Sequence, residues 1–514
     1  MAEFDSRLID VAPTPAGLAR ETNWWGAFVI GLAGTVLIIG LIGYALFALG
    51  GFAIVLFAII TAIGVFLCFC LAEMAATWPE RAGGLPSYAF ETFKPAGNTF
   101  SRHIGGLSSW AYWLGWFTVA PINAFLASLY IVDLFNIDFG GSFGPISTKF
   151  GSVVPVDVFV VGVILLLVMF IPCWLGIRLG ASFATVLGIC TMVPLVLLCV
   201  LPFFKPGSLD GFSNLSLSLS SSPIGIKGSW QLILGWSFIY TWSVLAMEAA
   251  ACYIGECREP VRDAKIAITA EGLFGFFIYL ALPIMVFSVL GTVGLDQLAK
   301  DNPGWIGDAN ILFQGYVDKI FGVNQFWTWL IGLSLIAALS LSVLNAIMGA
   351  SRGMYQNAHD GILPKAFGWA NKHKAPSFAM LVSLICSIAV LTVGSPLQIY
   401  VFSNMGYLFA LSVSLIGYGI FRATREDTPR ELKMPKVFGP LALIIGVIGI
   451  LLWAIGGYYA ADYVVGAGYR WLYWIGLILL ALYFPLNWWR KMEDRAAGGT
   501  PAAPVVESSS EGSA

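Results

Sequence analysis

From Trp24 to Ala72 the chain carries no Asp, Glu, Lys or Arg. A soluble domain has too little interior to hide so long an uncharged stretch, whereas a bilayer is crossed by about 20 consecutive apolar residues per helix. The stretch therefore predicts two membrane-spanning helices, separated at Gly50-Gly51. The pattern continues to the end of the chain. Only 11% of the 514 residues are charged and 58% are hydrophobic, against about 25% charged in an ordinary soluble domain. The fold class that follows is an all-α polytopic membrane protein.

Twelve transmembrane helices are expected, near residues 24–49, 52–77, 104–135, 153–172, 176–204, 229–256, 264–294, 326–358, 376–394, 397–421, 438–459 and 470–489. Residues 1–22 read as a polar tail and 78–103 as a polar connection. Residues 205–228 read as a Ser/Gly/Pro-rich loop, and 295–324 as a long connection with a short surface helix. The Ala/Gly/Ser/Pro-rich tail after Lys491 reads as disordered. If the N-terminus is placed in the cytoplasm and sides alternate, 21 of the 27 Lys and Arg fall inside. That asymmetry is the positive-inside bias, and it predicts both termini in the cytoplasm of a plasma-membrane protein.

Several classes are excluded by what the sequence lacks. There is no Walker motif, so ATP-driven transport is not expected. There is no HExxH and no nucleophile–base pair, so the chain does not read as an enzyme. The eight Cys and three His show no ligand spacing, so no metal, cofactor or disulfide framework is expected. A net charge of −2 suggests no nucleic-acid partner. The partners expected are a small-molecule substrate, the lipid bilayer and a coupling cation.

Chemistry concentrates around Trp242–Pro260, WSVLAMEAAACYIGECREP, in the sixth span. Glu248 stands in its apolar part, and an ionisable residue at membrane depth is a functional-site hypothesis by default. It reads either as a protonatable group on the inner pathway or as a structural carboxylate capping amides. Trp242 reads either as a packing residue or as a lid over a site. The first span carries glycines 31, 34, 40 and 43. These fit close helix packing, or a mid-membrane break that turns backbone toward a site, since matched interruptions in two halves point to a transporter centre. Asn123, Ser342, Asn345 and Asn404 are polar within spans; interhelical hydrogen bonding or a cavity lining accounts for them. Glu73 and Glu271 are expected near cytoplasmic helix ends, snorkelling or ion-paired.

These stretches together resemble the amino acid–polyamine–organocation superfamily of permeases. Ala72-Glu73-Met74 through Pro79 to Gly83-Gly84 and Tyr88 resembles the end of that family's second helix. Trp242-Ser243-Val244-Leu245-Ala246-Met247-Glu248 is similar to its F-x-G-x-E break in the sixth. Glu259-Pro260 with Arg262 and Ile266-Ala267 resembles the exit that follows. Arg352, Asp360-Gly361-Ile362-Leu363-Pro364 and Pro376, then Pro429 to Pro435, resemble the family's later loops.

The resemblance implies a five-plus-five inverted repeat, residues 23–204 and 229–421, with two additional C-terminal helices in 422–490. It also implies a central site at the breaks in spans 1 and 6. On this basis the substrate-binding residues are expected to be Ile38, Ile39, Gly40, Asn123, Trp242, Ser243, Val244, Leu245, Ala246 and Asn345. Trp242, Glu248, Thr191 and Ser342 are expected to gate or couple. The sequence departs from the family pattern in three places: Ile38-Ile39 precede Gly40 at the first break, Ala246 replaces the family glycine, and Thr191 lies near the place of a lysine found in some proton-driven members. The expected function is secondary active transport of an amino acid or small organic amine, probed against exchange and against a non-transporting sensor on the same fold.

Overall fold

The computed structural model describes residues 17–139, 146–147, 153–205, 207–209, 212, 215–218, 230–302 and 309–497. Within them the regular elements are helices, apart from a ladder of two two-residue strands, β1 (Ile146–Ser147) and β2 (Val153–Val154), and one isolated bridge. Eleven helical stretches are long and apolar enough to cross a membrane. A further apolar helix, Ser377–Leu391, is shorter. Side chains such as Ile164, Ile171, Val186, Ile189, Val193, Ile448 and Leu451 are exposed, a greasy exterior that only a lipid solvent tolerates. The protein is a multi-pass membrane protein.

The first span is divided. Asn23 caps α1 (Trp24–Thr35) by accepting from the Gly26 amide at 3.1 Å. A tighter 3₁₀ turn, Val36–Ile38, then joins α1 to α2 (Ile39–Leu49). Ile39 keeps right-handed helical dihedrals, so the interruption at Ile38-Ile39-Gly40 is a tightened turn and not an unwound strand. Gly50 follows with φ of 57°, where a side chain would be strained, and α3 (Phe52–Thr77) runs back across.

The stretch read as a polar connection is partly helical: α4 (Leu85–Thr92) buries Leu85, Tyr88 and Ala89, and α5 (Asn98–Phe117) begins earlier than expected. Pro121 lacks an amide hydrogen, so the third span breaks at Thr118 before α6 (Val119–Leu134). Then come α7 (Val156–Trp174), α8 (Ile177–Val200) and α9 (Trp230–Val244). The sixth span does not resume as an α-helix: after Val244 the chain turns, and Ala249–Glu256 is 3₁₀.

The remaining helices are α10 (Pro260–Asp301, bent at Gly291), α11 (Ala309–Phe321), α12 (Gln325–His359), α13 (Ser377–Leu391), α14 (Pro396–Thr424), α15 (Phe438–Tyr459), α16 (Trp471–Ala481) and α17 (Tyr483–Ala496). Helix α17 carries the chain past Lys491 as ordered helix, which corrects the expectation of disorder from there; residues 498–514 lie outside those described. At the other end, Leu18 is buried and Thr22 pairs with Cys257 in a parallel bridge, so residues 17–22 pack instead of trailing. Most of the 205–228 loop lies outside the described residues.

One face gathers the charged connections. Arg20 pairs with Glu80, Arg81 with Glu91 and Asp360, Lys265 with Glu431, and Lys365 with Asp494. Glu73, fully buried at the end of α3, accepts from Arg422 at 2.7 Å and Arg430 at 3.0 Å. Its expected ion pair is therefore present.

Candidate functional site

The interruption of the sixth span sits directly on α1. A Cβ added to Gly34 would lie 1.8 Å from the Ala246 carbonyl oxygen, and one on Gly31 would lie 2.6 Å from the Ala250 nitrogen. Both glycines are required by backbone-to-backbone approach, which is the packing reading of the first span's glycines. The two readings merge here, because what the glycines admit is the broken segment itself. Tyr279 on α10 reads both chains, its hydroxyl donating to Ser243 O at 2.8 Å and lying 3.1 Å from Gly34 O. Gly40 differs: its carbonyl accepts from the Tyr400 hydroxyl at 2.9 Å.

Trp242 ends the regular part of α9. Its indole Nε1 donates to Ser403 Oγ at 2.6 Å, and its ring packs on Tyr400 with centroids 4.6 Å apart. Ser403 in turn meets Thr118 Oγ1 at 2.6 Å and the Gly115 carbonyl at 3.1 Å. One indole thus joins the end of α9 to α14 and, through Ser403, to the kink between α5 and α6.

Glu248 lies one and a half turns further on, fully buried. Its carboxyl accepts from Tyr407 Oη at 2.7 Å, Tyr112 Oη at 3.1 Å and Trp116 Nε1 at 3.2 Å. No Lys or Arg among the described residues pairs with it. A buried charge without a cation is costly unless hydrogen bonds are directed at it. Three donors can hold the carboxylate, and the same cage can hold the acid. The arrangement suits a group that changes protonation without leaving its place. Trp242, Glu248, Tyr407 and Asn345 are each at most 2% exposed, so the junction is shut on both sides.

Other expected residues fall around this centre unevenly. Val244, Leu245 and Ala246 are buried in the turn between Trp242 and Glu248. Ser342 donates to Ala33 O at 3.2 Å and so ties α12 to the last turn of α1. Asn345 accepts from Tyr253 through Oδ1, while its buried Nδ2 has no partner. That orphan donor has a counterpart in Asn404, whose buried Oδ1 is also unpartnered. Asn123 turns back to Val119 O at 2.7 Å, within its own helix. Thr191 likewise donates to Leu187 O at 2.7 Å. It lines, with Ile39, Leu198 and Trp327, a separate apolar cleft of about 20 Å³, room for little more than a water. Neither residue joins the Glu248 cluster. Glu271 also departs from expectation: it is fully buried and forms no salt bridge among the described residues. Its Oε2 accepts the Ala250 amide at 2.8 Å, and its Oε1 is unpartnered.

Sequence reasoning missed Tyr112, Trp116, Tyr279, Tyr400, Ser403 and Tyr407. Their spacing was available: Tyr112 and Trp116 are four apart, and Tyr400, Ser403 and Tyr407 follow a three-then-four rhythm, each set on one helical face.

A shut polar cluster at a helix break, walled in by membrane-spanning helices, defines the class of multi-pass transport proteins. The family profile described as amino acid permease matches residues 23–483, and the chain belongs to that family. It is 25% identical over 454 residues to a probable amino-acid permease of Schizosaccharomyces pombe, covering 85% of this chain and 73% of that protein. It is 25% identical over 445 residues to the histidine permease of Lactococcus lactis subsp. cremoris, covering 80% and 86%. A glutamate/gamma-aminobutyrate antiporter of Lactococcus lactis subsp. lactis is 25% identical over 238 residues, 43% of this chain and 44% of that one.

Proposed function

We propose that this amino acid permease is a secondary active transporter of an amino acid or small organic amine, working by alternating access with both termini in the cytoplasm. The observation that carries the reading is Glu248, an uncompensated carboxyl caged by Tyr112, Trp116 and Tyr407 beside the interrupted sixth span. The first interruption, at Val36–Ile38, and the second, after Val244, fall five spans apart, which supports the inverted repeat of residues 23–204 and 229–421. In this reading the charged face is cytoplasmic, Trp242 closes the outer side and a proton on Glu248 couples the cycle. Substrate enters against Ser243–Ala246 and the open amide of Asn345.

The apolar turn Ile38, Ile39, Val244 and Leu245 favours a small or uncharged side chain. The antiporter among the relatives supports exchange as the mode. Proteoliposomes settle both points. Counterflow into vesicles preloaded with unlabelled substrate, absent from empty vesicles, identifies an exchanger, and uptake driven by an imposed pH gradient identifies a proton-coupled carrier. Matched pairs that differ by a carboxylate, such as glutamate with γ-aminobutyrate and arginine with agmatine, separate an amino acid site from an amine site. Accumulation of none of these under any preload or gradient overturns the transport reading.

A further inference from the structure

The charged face holds a second cavity, of about 330 Å³, which shares no lining residue with the Glu248 cluster. It is framed by the first turn of α5, by Gly361-Ile362 after α12, and by the end of α17. The frame is built firmly. Asn487 donates to Ile362 O at 2.9 Å, and buried Arg490 donates to Ala358 O at 2.8 Å and Leu363 O at 2.9 Å. His103 Nδ1 and the Tyr483 hydroxyl meet at 3.1 Å. These bonds pin α17 to the loop, so the cavity is a property of the fold and not of a loose end.

Its charge is unbalanced. Arg102, Lys491 and Arg495 line it, and Asp494 is the single carboxylate among the lining residues. Asp494 is already engaged by Arg490 at 3.1 Å and by Lys365 at 3.5 Å. Arg102 has only the Gly361 carbonyl, at 3.1 Å, and neither Lys491 nor Arg495 forms an ion pair among the described residues. Elsewhere on this face Arg20, Arg81, Lys94, Arg262, Lys265, Arg352, Arg422 and Arg430 have carboxylate partners; Arg258, Lys372, Lys374, Arg425 and Lys433 form no ion pair among the described residues, but none of these lines the cavity. Three cations share one cavity with a single carboxylate that is already paired, and a bound anion relieves their mutual repulsion. The fork of an arginine with the reach of a lysine matches the oxygens of a phosphate group. The depth is also informative. Phe484, Trp488 and Trp489 on the outward side of α17 are more than half exposed, the side-chain pattern of a membrane–water interface. The cavity therefore opens where headgroups lie.

We propose that this cavity binds a phosphate-bearing anion held by Arg102, Lys491 and Arg495, either the headgroup of an anionic phospholipid or a soluble phosphate. The site fastens the start of α5, the loop after α12 and the end of α17 together.

The test is thermal melting of the purified full-length protein titrated with short-chain phosphatidylglycerol, short-chain phosphatidylcholine or inorganic phosphate, alongside R102Q/K491Q/R495Q. Phosphatidylglycerol should raise the melting temperature saturably and phosphatidylcholine should not. The triple variant should need roughly a hundredfold more ligand, since each basic side chain near an anionic surface contributes about 1 kcal/mol. Saturation by phosphatidylglycerol far below the concentration of inorganic phosphate needed assigns the headgroup; equal potency of inorganic phosphate assigns a soluble ligand. Absence of a saturable shift with either, or equal shifts in wild type and variant, overturns the proposal. Should the triple variant melt too early to titrate, Lys491→Gln alone, at an exposed position, carries the comparison with a several-fold weaker response.

Discussion

Trp242 Nε1 donates to Ser403 Oγ at 2.6 Å, and through that hydroxyl the end of α9 is bonded to Thr118 at the kink of the third span. The bond is short and buried. It links the interruption of the sixth span to the kink of the third, so closure here is a matter of a few polar contacts inside an apolar shell.

Substitutions at Trp242 should separate two contributions. Trp242→Phe keeps a ring against Tyr400 and loses one hydrogen bond, a change of about 1 kcal/mol. Trp242→Ala removes the ring as well, a loss of about 3–5 kcal/mol for a buried aromatic. We expect near-normal uptake from the first and strongly impaired substrate stabilisation from the second, read by transport and by thermal melting of the same preparations. Normal uptake by the alanine variant would remove Trp242 from the gate.

Glu248→Gln tests the coupling role by pH. Protonation of Glu248 accompanies loading in the proposed cycle, so wild-type uptake should fall as external pH rises. Glutamine mimics the neutral acid at every pH, and its amide still meets the cage of Tyr112, Trp116 and Tyr407. The variant should therefore show a flat pH profile while remaining folded. An unchanged slope in the variant leaves Glu248 as a structural carboxyl.

The glycines of the first span should respond in a graded way. Gly34→Ala drives a methyl to 1.8 Å from a backbone oxygen that cannot step aside, and should abolish folding or transport. Gly40→Ala meets the far end of Tyr400 at 2.8 Å and should cost part of the activity as that hydroxyl leaves the Gly40 carbonyl. Gly188→Ala on α8 meets Leu32 at an ordinary 3.6 Å and should behave as wild type. Expression level, melting temperature and uptake rank the three.

Arg352 and Glu256 form a pair with both side chains at most 2% exposed, and Arg352 Nη1 also donates to Met348 O at 2.7 Å. Glu256→Gln leaves a buried guanidinium without its counter-charge and should destabilise by about 3–5 kcal/mol. Replacing both partners by apolar residues, as in Glu256→Leu with Arg352→Met, should recover much of that loss in a melting experiment. Failure of the double variant to melt above the single one would place the value of the pair in geometry and not in charge.

The sequence made the membrane class, most span boundaries and the chemical centre at Trp242–Glu248 legible, because hydropathy and a misplaced carboxylate are local signals. Helix α4 and the end of α17 were hidden for the same reason: their charged residues find partners outside their own helix, as Asp494 does with Lys365 far back along the chain, so local polarity resembled a loop or tail. Asn123 was expected to bind substrate and Thr191 to gate or couple, because polarity within a span looks alike whether a side chain bonds across helices or back to its own. Glu271 was expected to snorkel or to find a cation because its depth cannot be read from its distance along a helix. The cage of Glu248 was present only as a rhythm of aromatic residues in two other spans, and a rhythm does not name its partner until the helices are packed.

The bridge at Thr22 has a mechanical consequence. Thr22 N bonds to Glu256 O at 3.2 Å and Arg258 N to Thr22 O at 3.1 Å, while Gly31 and Gly34 press on Ala250 and Ala246 above. Helix α1 and the segment from Ala246 to Arg258 are thus stitched at both ends of their overlap. Anything that swings the one must carry the other. A covalent crosslink between them should therefore be silent in transport, whereas a crosslink from either to α5 should stall it.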